Sequence, residues 1–528
     1  MHNQSVYLKP NVILEPLVNQ WYAWTYLIAP TTAAMYIANS HLKIMQSFIS
    51  APKVHIAAHK NPKLLGGPFI NYDESRVNEI ETLLQETAQR QAHMVQLAEA
   101  IKALDDLLKN EADGHSLKEL YQKIPEALQG YVELTYDLKN QPSVRFIEGL
   151  LYQSDYYDLT AQSISLSLIH HDERPFIFST PKLEEQQSLN LPIPFNYLAL
   201  DQLFKMRSEP GSFEFIHAAL NVKDTERFKS FFTENEPPKR LDYEEESVRI
   251  RYFGHACLLI ETKGISILCD PLISYRHESG IPRYSYADLP DSIDYALITH
   301  QHHDHCVFET LLQLRHKIKT IVLPKSSNGV LSDPSIKLAL KNTGFNQIVE
   351  IDEMEAIWTE AGTITGLPFF GEHADLNIHS KLTYAISLKS KTILVMADAN
   401  NFETKTYEHI HRSIGNVDVV FIGLQCAEAP LTWAYGPLLT QPLSRSIDRS
   451  RHLNGANYQQ ALDVVNQFNP KLVYVYALGY EPWLSYMQPS QYNEEALPIV
   501  ESKRLIEACR RREILAERLF AQKEIVLE

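Results

Sequence analysis

Apolar positions in the first half of the chain recur at helical spacing. Between Asp73 and Leu108 they fall at Ile80, Leu83, Leu84, Ala88, Ala92, Val95, Leu97, Ile101, Leu104 and Leu108, with charged residues between them. The spacing predicts one long amphipathic helix, packed in a core or a dimer contact and broken at Gly114. Upstream, Asn11 to Pro52 is apolar and aromatic, with Trp21, Tyr22, Trp24 and Tyr26 close together, and Thr31 to Ile49 reads as helix. The aromatic cluster fits a packed core better than a docking surface. Gly66-Gly67-Pro68 is a turn. Phe213 to Phe232 reads as a helix with one polar face.

After Ser247 the pattern changes to strands alternating with helices. Val248, Ile250 and Tyr252 alternate with arginines, and Cys257 to Ile260 is a continuous apolar run. Ile265 to Leu268 predicts a strand that stops at Asp270-Pro271, and Asp294 to Thr299 one that stops at His300. Val307 to Ile318 reads as a helix and Thr320 to Leu323 as a strand. Thr383 to Leu388 and Thr392 to Met396 make a hairpin around Ser390, and Val419 to Leu424 and Leu472 to Ala477 are further buried strands. Tyr458 to Phe468 and Ser502 to Leu515 look helical. This alternation means an α/β or α+β sandwich. Between the two regimes Glu234 to Glu246 carries two prolines and dense charge, the composition of an inter-domain linker. The expected division is an N-terminal α+β domain over residues 1–245 and a second domain over residues 246–528. No internal repeat is visible.

Composition narrows the function class. A chain of 528 residues is too long for one core. Its 45% hydrophobic and 22% charged content is ordinary for a globular enzyme. A formal net charge of -16 argues against a nucleic-acid partner, which wants a basic face. No apolar run approaches the roughly 18 residues of a membrane helix. Met1 to Pro10 lacks a basic segment followed by an apolar one, so no signal peptide and no membrane partner are expected. The five cysteines are scattered and without paired spacing, which fits a reducing cytoplasm and neither a disulfide framework nor a cysteine zinc site.

The chemistry concentrates at I-T-H-Q-H-H-D-H-C, Ile298 to Cys306. His300 and His302, two apart just past a strand, can aim both rings at one metal ion. Asp304 and His305 come next and can aim at a second ion beside it. Strand ends are where open sheets place their sites. Two later strand ends supply further ligands. One is Gly371-Glu372-His373, where a carboxylate competes with an imidazole; the other is Asp398, well placed to bridge two ions. His255 reads as a structural or metal-supporting histidine, and His303 as pointing away from its neighbours. His170-His171 reads as a surface turn, and Cys306 as a buried spacer.

His300-x-His302-x-Asp304-His305 after an apolar strand, with Asp270-Pro271, Gly254-His255-Ala256 and Asp398, resembles the metallo-β-lactamase superfamily over about Ser247 to Glu528. That resemblance implies a four-layer αββα sandwich with a two-metal site between its sheets. Hydrolases of that superfamily carry a last histidine after a late strand. Here Leu472 to Ala477 is followed by Leu478-Gly479-Tyr480, and no histidine comes after His452. The missing nitrogen shifts the site toward oxygen ligands and iron.

Along nearly its whole length the chain is similar to the CmlA-type diiron β-hydroxylases of nonribosomal peptide biosynthesis, a family of antibiotic-producing pathways. The likeness rests on Gln20 to Trp24, Gly66-Gly67-Pro68, Phe253 to Ala256, Glu309 to Ile318, Gly366 to His373 and Glu481-Pro482-Trp483. The N-terminal half is shared with this family and not with the hydrolases. The resemblance implies that His300 and His302 bind one iron and Asp304 and His305 the other. It implies that Asp398 bridges them and that Glu372, not His373, is the carboxylate ligand. It further implies an O2-dependent monooxygenase with two Fe ions and an external electron donor, such as a reductase. The substrate would be an aminoacyl group tethered as a thioester to a peptidyl carrier domain. The N-terminal domain would serve carrier docking and a homodimer. The alternative is a zinc or manganese hydrolase of lactone, phosphodiester or amide bonds. A carrier-binding protein with a vestigial site is disfavoured by the intact ligand run.

Overall fold

The computed structural model describes residues 5–238, 242–427, 429–488 and 492–528. Two seven-stranded sheets make the second half of the chain. In the first, Val248–Gly254, Cys257–Thr262 and Ile265–Cys269 form an antiparallel meander. Ile293–Leu297, Ile318–Pro324 and Ile348–Ile351 then add in parallel. Lys523–Leu527, at the chain's far end, returns to pair with Val248–Gly254. The second sheet repeats this plan. An antiparallel run of Ala356–Thr359, Gly362–Leu367, Thr383–Leu388 and Lys391–Val395 is followed by parallel Val419–Gly423, Leu472–Tyr476 and Leu515–Arg518. The duplication lies in topology and not in residue identity, which is why no repeat is visible in the sequence.

The inner faces pack Ile250, Tyr252, Leu258, Ile267, Tyr384, Ile386 and Phe421 into one apolar layer. Helices Thr404–Ile414, Tyr458–Phe468 and Leu497–Arg510 cover the second sheet with a separate apolar cluster. Phe308–Leu314 and Ile336–Asn342 join the cluster shared with the first half. The result is the expected αββα sandwich behind a mixed α+β N-terminal half. That half holds a four-stranded antiparallel sheet of Trp21–Tyr22, Val12–Val18, Gln162–Leu168 and Leu189–Leu191, with helices packed beside it.

Several elements differ from the periodicity. The long helix is two, Val77–Arg90 and Ala92–Glu111, broken at the buried Gln91. Gln91 leaves helical geometry, and its Nε2 donates to Asp158 Oδ2 at 3.2 Å, so a tertiary bond outweighs a continuous helix. Phe213 to Phe232 is likewise split into Phe213–Ala219 and Thr225–Lys229 by Asn221, whose φ is 50°. The helix expected to reach Ile318 stops at Leu314, because Ile318 already starts a strand. The helix expected over Ser502 to Leu515 is Leu497–Arg510, and Leu515 opens an edge strand. The hairpin around Ser390 turns through Lys389 and Ser390, both at positive φ, as a tight two-residue hairpin requires. Of the expected linker, residues 239–241 lie outside the described residues. Residues 242–246 carry no strand or helix.

The two halves are fastened by buried charge. Arg174 donates to Glu309 Oε1 at 2.9 Å and to Glu15 Oε1 at 3.1 Å, with its guanidinium over the Tyr486 ring. Tyr22 and Tyr275 each donate to Glu309 at 2.8 Å.

Candidate metal centre

The strand Ile293–Leu297 ends just before the histidine run, and Asp270 fixes the loop that carries it. Thr299 donates to Asp270 through its backbone N at 2.8 Å and its Oγ1 at 2.6 Å. The loop then makes one helical turn: the backbone N of His305 donates to the His302 carbonyl at 3.1 Å. Every residue from His300 to Cys306 is buried.

This frame selects which ring nitrogen each histidine presents. The Thr299 proton goes to Asp270, so His300 Nδ1, 3.0 Å from Thr299 Oγ1, is the donor of that pair. His300 Nε2 is left with no partner. His305 Nδ1 donates to Asp270 Oδ2 at 2.8 Å, and its Nε2 faces Asp398 Oδ2 at 3.0 Å. His302 is turned the other way. Its Nε2 lies 2.9 Å from the Tyr435 hydroxyl, and its Nδ1 faces Glu372 Oε1 at 3.4 Å. A carboxylate or hydroxyl behind a ring, with the opposite nitrogen free, is how metal-ligating histidines are oriented.

The carboxylates arrive from the other sheet. Asp398 follows Ala397, whose φ is 47° and whose backbone N donates to the Tyr476 hydroxyl at 2.9 Å. A Cβ at Gly423 would stand 2.5 Å from the Ala397 carbonyl and 3.0 Å from Asp398 Oδ1, so this strand must pass as glycine. Glu372 sits at φ 64°, and its loop is tied to the Asp398 loop where Asn400 N donates to the Phe370 carbonyl at 2.7 Å. His255, Asp270 and Ala477 also have positive φ at strand ends. Each such residue costs about 1–3 kcal/mol, and such strain collects at functional sites.

Two donor clusters result. His300, His305 and Asp398 form one, and His255, Asp304 and His305 the other. Asp304 Oδ2 lies 3.3 Å from His255 Nε2 and accepts from Gln488 Nε2. His302 and Glu372 adjoin the first cluster. Burial, then the Asp398 and Asp304 carboxylates, push the Glu372 carboxyl well above its usual range. Burial and the neighbouring imidazoles hold His300 well below its own. Burial would also lower His305, but Asp398, Asp304 and Asp270 outweigh it and hold the ring well above. Crowded carboxylates, with Glu372 Oε2, Asp398 Oδ1 and His300 Nε2 buried and unpartnered among the described residues, are what a pair of divalent cations relieves. The donor set fits two metals of iron character.

Four of the six expected ligands, His300, Asp304, His305 and Asp398, fall in the two clusters, and His302, its ring centroid 4.8 Å from that of His300, lies beside them with Glu372 against it. The geometry leaves the choice between Glu372 and His373 open: Glu372 Oε1 faces His302 Nδ1 at 3.4 Å, His373 Nδ1 lies 2.7 Å from Tyr435 Oη with its Nε2 buried and without a hydrogen-bond partner, and neither residue belongs to the two donor clusters. His303 leaves the metal site and packs against Phe178, with ring centroids 4.4 Å apart. His170 and His171 are exposed. Cys306 is buried, and burial pushes its thiol up to about 12. Sequence reasoning did not find Tyr435, which lies 133 positions from the histidine it supports. Asp270 stands out in the sequence, but its role as the orienting carboxylate does not. Lys381, a largely buried ammonium whose charge acts on Glu372, was also missed.

Beside the metal loop lies a cavity of about 760 Å³, walled by Trp21, Trp24, Phe178, His303 and Trp433. The aromatic cluster is thus packed and lines the cavity as well.

Known proteins resemble the chain in both halves. The family model of the diiron non-heme β-hydroxylase N-terminal domain matches residues 7–237, and that of the β-lactamase superfamily domain matches residues 266–475. The chain is 37% identical over 533 aligned positions to the 4-amino-L-phenylalanyl-[CmlP-peptidyl-carrier-protein] 3-hydroxylase of Streptomyces venezuelae, covering 98% of this chain and 99% of that one. The crystal structure of CmlA, a diiron β-hydroxylase from Streptomyces venezuelae, superposes with a TM-score of 0.94 at 36% identity, covering 99% of this chain and 100% of that one. A glutamate-to-aspartate mutant of the CmlA β-hydroxylase gives a TM-score of 0.91 at 35% identity over the same shares.

Proposed function

The chain belongs to the diiron non-heme β-hydroxylase family, and from that premise we infer that it hydroxylates the β-carbon of an aminoacyl group held as a thioester on a nonribosomal peptide synthetase carrier domain. The carrying observation is likeness over the whole chain, N-terminal half included, to a hydroxylase that acts on a carrier-bound amino acid. The hydrolase reading is not favoured: that relative is a hydroxylase, and the late strand Leu472–Tyr476 runs into Ala477 without a histidine.

In this reading His300, His302 and Glu372 would hold one iron and Asp304 and His305 the other, and Asp398 would serve both. Two irons, when bound, supply the reductive activation of O2 that a C–H bond of this strength requires. The balance is one C–H bond, one O2, two electrons and two protons giving one C–OH and one water. The electrons come from an external donor, a reductase, since the sequence carries no flavin or nicotinamide fingerprint. Glu372 and Asp398 border the reacting centre. Glu372 Oε2 and Asp398 Oδ1, each buried without a hydrogen-bond partner, would be free to ligate the irons. Asp270 and Tyr435 hold the imidazoles in the required tautomers. The aminoacyl group, on filling the aromatic-walled cavity, would displace water from it.

Residues 1–245 serve carrier docking and pairing of two copies, and residues 246–528 hold the metals. Among the described residues no helix is long and apolar enough to cross a membrane. A cytoplasmic setting, beside the synthetase, goes with this assignment. The test is a single turnover. Iron-loaded, chemically reduced protein is mixed with ¹⁸O2 and a carrier loaded with each of a panel of amino acids. A two-electron gain of one labelled oxygen on the aminoacyl group supports the reading. Release of the amino acid without oxygen incorporation contradicts it.

A further inference from the structure

Among the described residues that line the cavity beside the metal loop, only Lys43 and Lys102 carry a full charge. The lining includes the buried Trp21, Trp24 and His303. It also includes Lys43, exposed on the helix Leu42–Ser50, and Lys102, half-buried on Ala92–Glu111. Among the described residues no carboxylate lines it, in a chain with 65 acidic against 49 basic residues.

Lys102 is anchored by its neighbours. Lys102 donates to the neutral side chain of Asn39, whose Nδ2 donates to the Pro437 carbonyl at 2.8 Å. Asn39 lies in the widened turn Ile37–His41, a five-residue π-helix that interrupts the helices around it. Such turns mark functional positions. Burial, then the Lys43 ammonium, lower the Lys102 pKa, against a smaller opposing pull from Glu99. Two ammonium groups that repel in the lining of a cavity with no other full charge are stabilised together by one anion between them.

Resting on the proposed function, we propose that Lys43 and Lys102 clamp the phosphate of the carrier's phosphopantetheine arm. The arm joins its carrier through a phosphodiester, which keeps a negative charge at every relevant pH. Behind that phosphate run two amides and then the thioester. Asn39, Ser40 and Ser47 give the outer part of the passage polar groups for the amides. The aromatic inner part takes the aminoacyl end toward the metal loop. The clamp sets the depth of insertion, so the β-carbon is measured from the phosphate and not from the amino-acid side chain alone.

The test is binding to the iron-loaded full chain, followed by calorimetry, with phosphopantetheine, pantetheine and coenzyme A as probes. Phosphopantetheine is expected to bind about tenfold tighter than pantetheine, the effect of one charge-assisted contact. Lys43→Glu is expected to erase that difference and leave pantetheine binding unchanged. Lys102→Ala is expected to reduce it. Equal binding of the two probes to the native protein, or a ratio unmoved by Lys43→Glu, overturns the clamp. A tenfold preference for coenzyme A moves the site to a soluble thioester and overturns the carrier-arm assignment. Iron is counted in the same samples. Full iron with no phosphate effect sinks only the clamp, whereas protein that takes no iron sinks the proposed function.

Discussion

His305 Nδ1 donates to Asp270 Oδ2 at 2.8 Å while its Nε2 stands 3.0 Å from Asp398 Oδ2. One imidazole therefore joins a buried carboxylate of the first sheet to a buried carboxylate of the second. The same Asp270 carboxylate receives both donors of Thr299, so one side chain orients the entire ligand loop.

Removing that orienting group loosens the metal without removing a ligand. Asp270→Asn is expected to lower affinity for the second metal by about 10- to 100-fold, the usual cost of losing such a partner. Chelator competition against Fe(II) or Co(II) reads this directly. Unchanged affinity for both metals would show that Asp270 serves the fold alone.

Glu372 and His373 are neighbours with opposite expectations. Glu372→Ala is expected to lose iron and hydroxylation together. His373→Ala is expected to keep most of its iron, because the proposed assignment gives the ligand role to Glu372, whose Oε1 faces His302 Nδ1 at 3.4 Å. Iron counts on the two variants decide the assignment, and the reverse pattern would hand the ligand role to His373.

Tyr435→Phe removes the hydroxyl between His302 Nε2 and His373 Nδ1. Two buried ring nitrogens lose their partner, at a cost of about 1–3 kcal/mol each if no water replaces it. The thermal midpoint should fall, and metal affinity at the first site should weaken by about tenfold. A variant with native affinity would mean that His302 needs no support from this side.

These sites show what sequence could and could not reveal. The run from His300 to His305 was legible because its four candidate ligands are crowded together just past a strand. Asp398 and Glu372 were legible as carboxylates at strand ends, but their convergence with His300 depends on two sheets facing each other. Tyr435 carries no local signal: it comes from a segment packed on the N-terminal helices, where Asn39 Nδ2 meets the Pro437 carbonyl. Helix periodicity ran through Gln91 and Asn221 because apolar spacing does not record a tertiary hydrogen bond or a positive φ. The strands were easier, since a continuous apolar run such as Val419–Gly423 has few places to go except between layers.

The buried ion network between the halves makes a stability prediction. Arg174→Met leaves Glu15 and Glu309 without their guanidinium, although Lys182 still pairs with Glu15 at 3.1 Å. Breaking one partner of such a network costs about 3–5 kcal/mol. Urea unfolding should show it, and adding Glu309→Gln should recover part of the loss. A loss below about 1 kcal/mol would mean that water reaches the network, as it does at exposed pairs.

Glu148 gives a pH dependence away from the metals. Burial pushes its carboxyl up to about 7, and the Asp333 charge adds to that, while the Ser335 backbone N donates to it at 3.0 Å and offsets part of the rise. A raised folded-state pKa means the fold binds this proton more tightly than the unfolded chain does. Its contribution is therefore fully present below the unfolded value of 4.5, is lost as pH rises toward 7, and is level above. Glu148→Gln should gain on the native protein across that window, by up to about 3 kcal/mol. Paired melts at pH 5 and pH 8 measure it, and a constant difference between the two would refute the role of burial.

The identity of the bound metal decides between oxygenase and hydrolase. The measurement is metal content of the full chain purified from cells supplied with both iron and zinc. About two irons per chain with little zinc is the predicted result for a two-metal oxygenase site. Full zinc occupancy with no iron would contradict it and return the site to hydrolytic chemistry.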